Sequence, residues 1–318
     1  MNIQDMSIKK FSLKVAWFLF FQALILVFLC AMYNPLPRYA YMAATLDKHE
    51  RIARVPPPRV ILVGGSNLAL GIRSEILEKG IGKPVVNMGL SAGLGLDFLL
   101  NEVRDYVGMG DIIVLSLEYE QFRDTPNTSV LFQLLQFRPE SARYVRPDML
   151  VKAILYESHL FVGEIVRFNV KMFEGKDCFP VDPLLRPGFD KWGDLTLHWG
   201  LPPINPRPEQ PLAPINQSQL KGAIRKIEQF AIFCEGRGAR VYYSFPCFPK
   251  ASLKQFGDQI SAIESAIKTC PHLVVIDSPL DYAYDWSLFY EPSYHPTLQG
   301  ATIRTLTLEK HFLAAMRN

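Results

Sequence analysis

Short apolar runs that each give way, across a glycine or a polar turn, to a stretch with helical spacing restrict this chain to a fold built on parallel strands. RVILVGG (59–65) leads into SNLALGIRSEILEKG, which opens on a Ser suited to cap a helix. PVVNMG (84–89) is followed by LGLDFLLNEVRDYV (94–107), whose apolar positions fall on one helical side. DIIVLSL (111–117) is apolar almost throughout, the pattern of a central strand covered on both faces. The alternation resumes with a helix over 217–234, a strand over 240–245, a helix over 252–269, a strand over 273–276 and a closing helix over 301–316. Five strands interleaved with helices predict an α/β fold, a doubly wound and mostly parallel five-stranded sheet. Ligands of such folds gather beyond the carboxyl ends of the strands.

The stretch 123–216 breaks this rhythm and holds twelve of the 24 prolines. It reads as a Pro-rich insertion across the strand ends, with a helix within 149–172 and a polyproline-like strap carrying Pro202, Pro203, Pro206, Pro208, Pro211 and Pro214. Wrapping the fold and selecting a substrate both suit it. Trp192, His198 and Trp199 are accordingly open to ordinary packing or to stacking on a sugar.

Residues 15–32, VAWFLFFQALILVFLCAM, carry no charge and reach the length of a membrane span. Lys9, Lys10 and Lys14 precede them, which favours a cytoplasmic N-terminus. The resulting organisation is a cytoplasmic segment 1–14, a transmembrane signal anchor 15–33, a stalk 34–57 and an extracytoplasmic α/β domain 58–318, periplasmic in a bacterium. A cleaved signal peptide and a buried helix are the competing readings, although no small-x-small cleavage site stands out. Arg38, Lys48, Arg51 and Arg54 after the segment run against the charge rule, which a long translocated domain can override.

The remaining chemistry is narrow. With 34 Lys and Arg against 31 Asp and Glu the formal charge is only +3, with no basic stripe for a nucleic acid. Cys178, Cys234, Cys247 and Cys270 form an even set that an oxidising compartment permits to pair, but they lack metal-ligand spacing. His49, His159, His198, His272 and His311 build no metal motif, so neither a metal nor a cofactor is expected.

Ser66 stands directly after the first strand and at the start of a helix, where backbone N–H groups and the helix dipole favour negative charge. By itself a Gly-Gly-Ser turn is also an ordinary N-cap. His295, in FYEPSYHPTLQGA between the last strand and the last helix, is the base such a serine needs. Glu291 is the nearest carboxylate to steady the imidazole; Asp285, or a dyad using a backbone carbonyl, are the alternatives. Glu118 and Tyr119 at a strand end, with Asn67 beside Ser66, are weaker candidates for touching substrate hydroxyls.

In these blocks the chain resembles the SGNH, or GDSL-like, hydrolase superfamily, whose fold is flavodoxin-like, and in particular its membrane-anchored branches associated with acylation of cell-envelope polymers. ILVGGSN resembles the nucleophile block, VNMGLSAG the block that supplies a backbone oxyanion donor, and EPSYHPTLQGA the block carrying the carboxylate and His. The resemblance, over about residues 59–120 and 217–310, implies an oxyanion hole from the N–H groups of Ser66 and the Ala92–Gly93 turn. Three departures stand out. Gly65 replaces an Asp, SLEYEQF offers Glu118 where an Asn donor is common, and Glu291 lies four residues before His295 rather than three.

What the resemblance implies is a membrane-anchored extracytoplasmic serine esterase or O-acyltransferase, working on acyl esters, acetyl foremost, of a cell-envelope glycan or lipid-linked saccharide through an acyl-serine. The alternative is a catalytically inactive scaffold or glycan-binding partner of an integral-membrane acyltransferase. Sequence does not choose between water and a sugar hydroxyl as acceptor.

Overall fold

The computed structural model describes residues 3–33, 39–176, 184–204, 212–291 and 294–317. Helix α1 (Ile3–Tyr33) leads, and its stretch Ile8–Leu29, of mean hydropathy 2.1, is long and apolar enough to cross a membrane and is not buried by the rest of the chain. Lys9, Lys10 and Lys14 lie within this helix rather than before it. Residues 34–38 are outside the described part, and α2 (Ala44–Arg54) follows.

The expectation of a stalk over 34–57 fails at α2. Its Ala44, Thr45, Lys48, His49 and Ile52 are buried, and Lys48 Nζ donates to the carbonyls of Asn87 (2.9 Å) and Gly193 (2.6 Å). A segment whose ammonium is spent on carbonyls inside the domain belongs to that domain. The polar, Pro-punctuated composition that suggested a stalk is only partly turned to solvent, where Glu50 and Arg54 pair.

The chain then runs through β1 (Val60–Gly64), α3 (Ser66–Gly71), α4 (Ser74–Ile81), β2 (Val85–Asn87), α5 (Leu96–Arg104) and β3 (Ile112–Ser116). Helices α6 (Thr128–Phe137) and α7 (Pro147–Phe173) pack on each other before α8 (Gln217–Glu235) and β4 (Arg240–Tyr243) restore the alternation. There follow β5 (Phe248–Pro249), α9 (Lys250–Gln255), α10 (Gly257–Ile267), β6 (Val274–Val275), β7 (Ala283–Tyr284), β8 (Phe289–Glu291), β9 (His295–Pro296) and α11 (Leu298–Arg317).

All five expected strands form one parallel sheet in the order β2-β1-β3-β4-β6. Successive side chains alternate between two apolar layers, as the pleat requires. Ile61, Val63, Ile113, Leu115, Val241 and Tyr243 meet the layer containing Leu99, Val103, Ile227, Phe230 and Ile263 of α5, α8 and α10. Val60, Leu62, Val114 and Tyr242 face Leu77 of α4 and Leu308 and Phe312 of α11. Burial on both sides explains why β1 and β3 read as continuous apolar runs. Since β2 and β3 flank β1 on opposite sides, the chain reverses winding direction at the carboxyl end of β1, where such folds open a crevice.

Two expected helices are each split. The run after β1 breaks at Ile72 and Arg73, where Arg73 N–H donates to Thr305 Oγ1 of α11 and Ser74 N–H to Asp194 Oδ2. Partners far along the chain replace the helical ladder there. The run 252–269 divides at Phe256. Within 123–216, Asp194 lies buried and also accepts from Ser74 Oγ (2.7 Å) and Asn87 Nδ2 (2.8 Å), so residues 184–204 are fastened to the β1–β2 side of the sheet. Residues 205–211, most of the expected strap, lie outside the described residues.

Candidate active site

Three segments far apart in sequence converge at the carboxyl end of β1. Ser66 opens α3 directly after the strand, with Gly65 as its cap residue. Its Oγ lies 2.9 Å from Nε2 of His295, and Nδ1 of the same ring lies 2.5 Å from Oε1 of Glu291. The carboxylate accepts a hydrogen bond from Nδ1–H, which fixes the tautomer with Nε2 free to accept from Ser66. All three side chains are part-buried.

The spacing that departs from the family pattern has a local cause. Strands β8 and β9 form an antiparallel hairpin in which Glu291 is the register partner of His295. Cross-strand partners present neighbouring side chains on one face, so a four-residue separation brings acid and imidazole together. Asp285 is not the orienter; it lies exposed, 3.1 Å from Lys250 Nζ.

The hairpin is tied to the end of β3. Tyr294 is buried, and its hydroxyl donates to Glu120 Oε2 (2.7 Å) while accepting from Tyr119 N–H (3.1 Å). His198 Nε2 lies 3.3 Å from the Pro296 carbonyl; burial holds that imidazole down at about 4, so it is neutral at pH 7 and donates. His198 therefore buttresses the hairpin that carries His295. Trp192 donates to Glu78 Oε2 (3.0 Å), and Trp199 stacks near Arg73 and His198, so both have packing partners away from Ser66.

Arg304, which sequence reasoning passed over, is a principal support. It is buried on α11, donating from Nη1 to the Asn67 carbonyl (2.5 Å) and from Nη2 to Ser116 Oγ (2.9 Å). One guanidinium thus clamps the nucleophile turn to β3. Its signal was present: Arg304 interrupts the helical row Ala301, Thr305, Leu308 and Phe312 that faces the core.

The oxyanion candidates separate. Gly93 N–H is occupied by Ser91 Oγ (3.2 Å), whereas Ala92 N–H faces Gly65 closely. A Cβ at Gly65 would stand 2.8 Å from Ala92 N and 2.6 Å from Glu118 Oε1, which is why no side chain is tolerated there. Gly93 N–H is thus engaged within its own turn, and Ala92 N lies beside the nucleophile turn at Gly65.

Asn67 and Tyr119 are corrected as well. Asn67 is fully buried, its Nδ2 donating to the Ser116 carbonyl (3.1 Å), and Tyr119 is fully buried against Phe248 and Tyr294. Neither side chain can meet a substrate from solvent. Glu118 sits nearer the chemistry than expected, since its Oε1 accepts from Asn67 N–H (2.8 Å) and lies 3.1 Å from Ser66 Oγ. Burial raises the Glu118 carboxyl above the usual range, opposed by His295 and the Asn67 N–H.

Among the described residues no three His, Cys, Asp or Glu side chains converge as a metal ligand set. An open cleft of about 420 Å³ lies elsewhere, lined by Lys48, Arg51, Phe189 and Lys191, and contains none of the Ser66 array. Cys234, Cys247 and Cys270, which the sequence left free to pair or simply to be buried, are buried and unpaired; Cys178 lies outside the described residues.

Fold and site together define a doubly wound α/β protein with a hydrogen-bonded Ser–His–Glu array at its winding reversal and one apolar helix ahead of it. No protein-family model, curated protein or solved structure matches the chain.

Proposed function

We propose that this protein is a membrane-anchored serine esterase or O-acyltransferase of the SGNH type, acting outside the cytoplasm on acyl esters, acetyl foremost, of a cell-envelope glycan. The observation that carries the reading is the continuous contact Ser66–His295–Glu291 made by residues from opposite ends of the chain. Ser66 Oγ would attack the acyl carbon as Nε2 takes its proton, with charge on the carbonyl oxygen received by Ser66 N–H and Ala92 N–H. Collapse breaks the ester C–O bond, and the leaving oxygen takes the Nε2 proton. Water or a sugar hydroxyl then resolves the acyl-serine by the reverse sequence.

The test is covalent labelling of the full chain in detergent with a fluorophosphonate, mapped by peptide mass. Stoichiometric modification at Ser66, absent from folded Ser66→Ala and reduced in His295→Ala by about a thousandfold or more, is the expected result. A folded wild type that stays unlabelled would transfer support to the scaffold reading. That second reading draws on Glu118, whose carboxyl shares the hydroxyl of Ser66 with His295.

A further inference from the structure

With His295 neutral and ready to act as base, the hydrogens around Ser66 do not close if Glu118 is a carboxylate. Ser66 has one hydroxyl hydrogen, and two acceptors stand within reach of its Oγ, Nε2 of His295 at 2.9 Å and Oε1 of Glu118 at 3.1 Å. An ionised carboxyl only accepts. It would draw the Ser66 hydrogen away from the base and place negative charge beside a centre that must develop negative charge. A neutral carboxyl removes the conflict: its O–H donates to Ser66 Oγ, Ser66 donates to His295, and His295 donates to Glu291, each hydrogen having one acceptor. Linked donors of this kind strengthen one another in a buried setting.

We propose that Glu118 works as a neutral acid and is a fourth side-chain component of the site beside Ser66, His295 and Glu291, donating to Ser66 Oγ at rest and to the acyl oxygen once charge develops there. This rests on Ser66 being the nucleophile. During attack the Oγ–C bond forms, the Ser66 proton passes to Nε2, and the carbonyl electron pair moves onto oxygen. That oxygen receives hydrogen bonds from Ser66 N–H, Ala92 N–H and the Glu118 O–H. On collapse the leaving oxygen takes the proton from Nε2, and Glu118 keeps its own throughout.

Burial favours the neutral form and prevails over His295, the Asn67 N–H on Oε1, Ser66 and Arg304, each of which favours the carboxylate. Glu118 is buried at the end of β3, and Glu120 on the following turn adds negative charge nearby. Facing it from β9 is His295, and from α11 Arg304, whose Nη atoms are committed to Asn67 O and Ser116 Oγ rather than to the carboxyl. From the segment before α2, the Tyr41 hydroxyl donates to the Leu90 carbonyl, and burial keeps it un-ionised. Cys247 is likewise held as a thiol by burial. Burial is the dominant influence on Glu118 and pushes its carboxyl up, so the ionised, inhibiting form appears as pH rises.

The decisive experiment compares fluorophosphonate labelling rates at Ser66 across the neutral and alkaline range for the full chain in detergent, its Glu118→Gln and Glu118→Ala forms, and the Ser66→Ala blank. Circular dichroism checks that each stays folded. Gln keeps a donor and cannot ionise. The rate ratio of Glu118→Gln over wild type should therefore rise with pH, approaching about tenfold per pH unit beyond the Glu118 midpoint. Glu118→Ala should be slower than Glu118→Gln by about a hundredfold at every pH. If wild type and Glu118→Gln label with parallel profiles, the Glu118 assignment is overturned while the nucleophile stands. If no folded form labels at any pH, the nucleophile reading falls and this inference falls with it. Should Glu118→Gln fail to fold, the wild-type profile decides: an alkaline fall supports the assignment, and a level alkaline plateau overturns it.

Discussion

Glu291 shows how a side chain's identity can be legible while its geometry is not. The motif order pointed to Ser66, His295 and Glu291 at a spacing one residue longer than the family's, and the β8–β9 pairing places Glu291 opposite His295. Register between two strands only two and three residues long leaves almost no trace in a sequence. The same limit explains Asn67, Tyr119 and Gly93. Polar residues beside a nucleophile resemble substrate contacts until burial and committed hydrogen bonds are known. In the proposed reaction Glu291 acts through His295 by holding its tautomer and steadying the imidazolium. Glu291→Gln, which keeps the shape and removes the charge, should slow Ser66 labelling by about a hundred- to ten-thousandfold. Glu291→Asp should recover part of that rate. Melting temperatures of both should stay near wild type, since the group is part-buried and near solvent. A large loss of stability with an unchanged rate in the folded fraction would make Glu291 a structural residue instead.

Among the elements, the strands were the most legible, because β1, β2 and β3 are short, rich in β-branched residues and buried on both faces. The helices of the alternating halves were located, but α6 (Thr128–Phe137) was not, nor were the interruptions. The breaks at Arg73 and Phe256, and the docking of α2 where a stalk was expected, depend on partners that sequence spacing does not reveal. Helix α11 illustrates the consequence for function. It was expected simply to close the fold, yet its buried Arg304 joins the nucleophile turn after β1 to the end of β3. Replacing it with an apolar side chain of similar length leaves the Asn67 carbonyl and Ser116 Oγ without their charged donor inside the core. Each unsatisfied group costs about 1–3 kcal/mol. Arg304→Met should therefore lower the unfolding midpoint in urea, measured on the detergent-solubilised chain, and slow Ser66 labelling in the fraction that remains folded. An unchanged midpoint would mean that water replaces the guanidinium and that the clamp has no energetic weight.

At the scale of the whole molecule, α1 and the α/β domain make opposite demands on solvent. Phe18, Leu19, Phe21 and Val27 expose apolar surface along α1, while the sheet packs a closed core of its own. Helix α7 packs against α1, with Asn169 Nδ2 reaching the Leu29 carbonyl (3.4 Å), which holds the domain beside one end of the apolar span. With α1 as an anchor, the Ser66 array is confined to the neighbourhood of a membrane surface, a setting that favours an envelope polymer over a small ester diffusing in bulk. Orientation then decides which compartment supplies the substrate. Three lysines at the start of α1 predict a cytoplasmic N-terminus. In intact bacterial cells expressing the full chain, an impermeant maleimide should label Lys268→Cys, an exposed site on the domain, and should reach Lys9→Cys only after lysis. The parent chain supplies the background, which should be low for Cys234, Cys247 and Cys270 because they are buried. Labelling of Lys9→Cys alone would put the domain in the cytoplasm and remove the extracytoplasmic glycan from consideration. Labelling of Lys268→Cys on a chain whose intact mass lacks the first helix would identify that helix as a cleaved signal, and the argument for a surface-bound acceptor would then lose its physical basis.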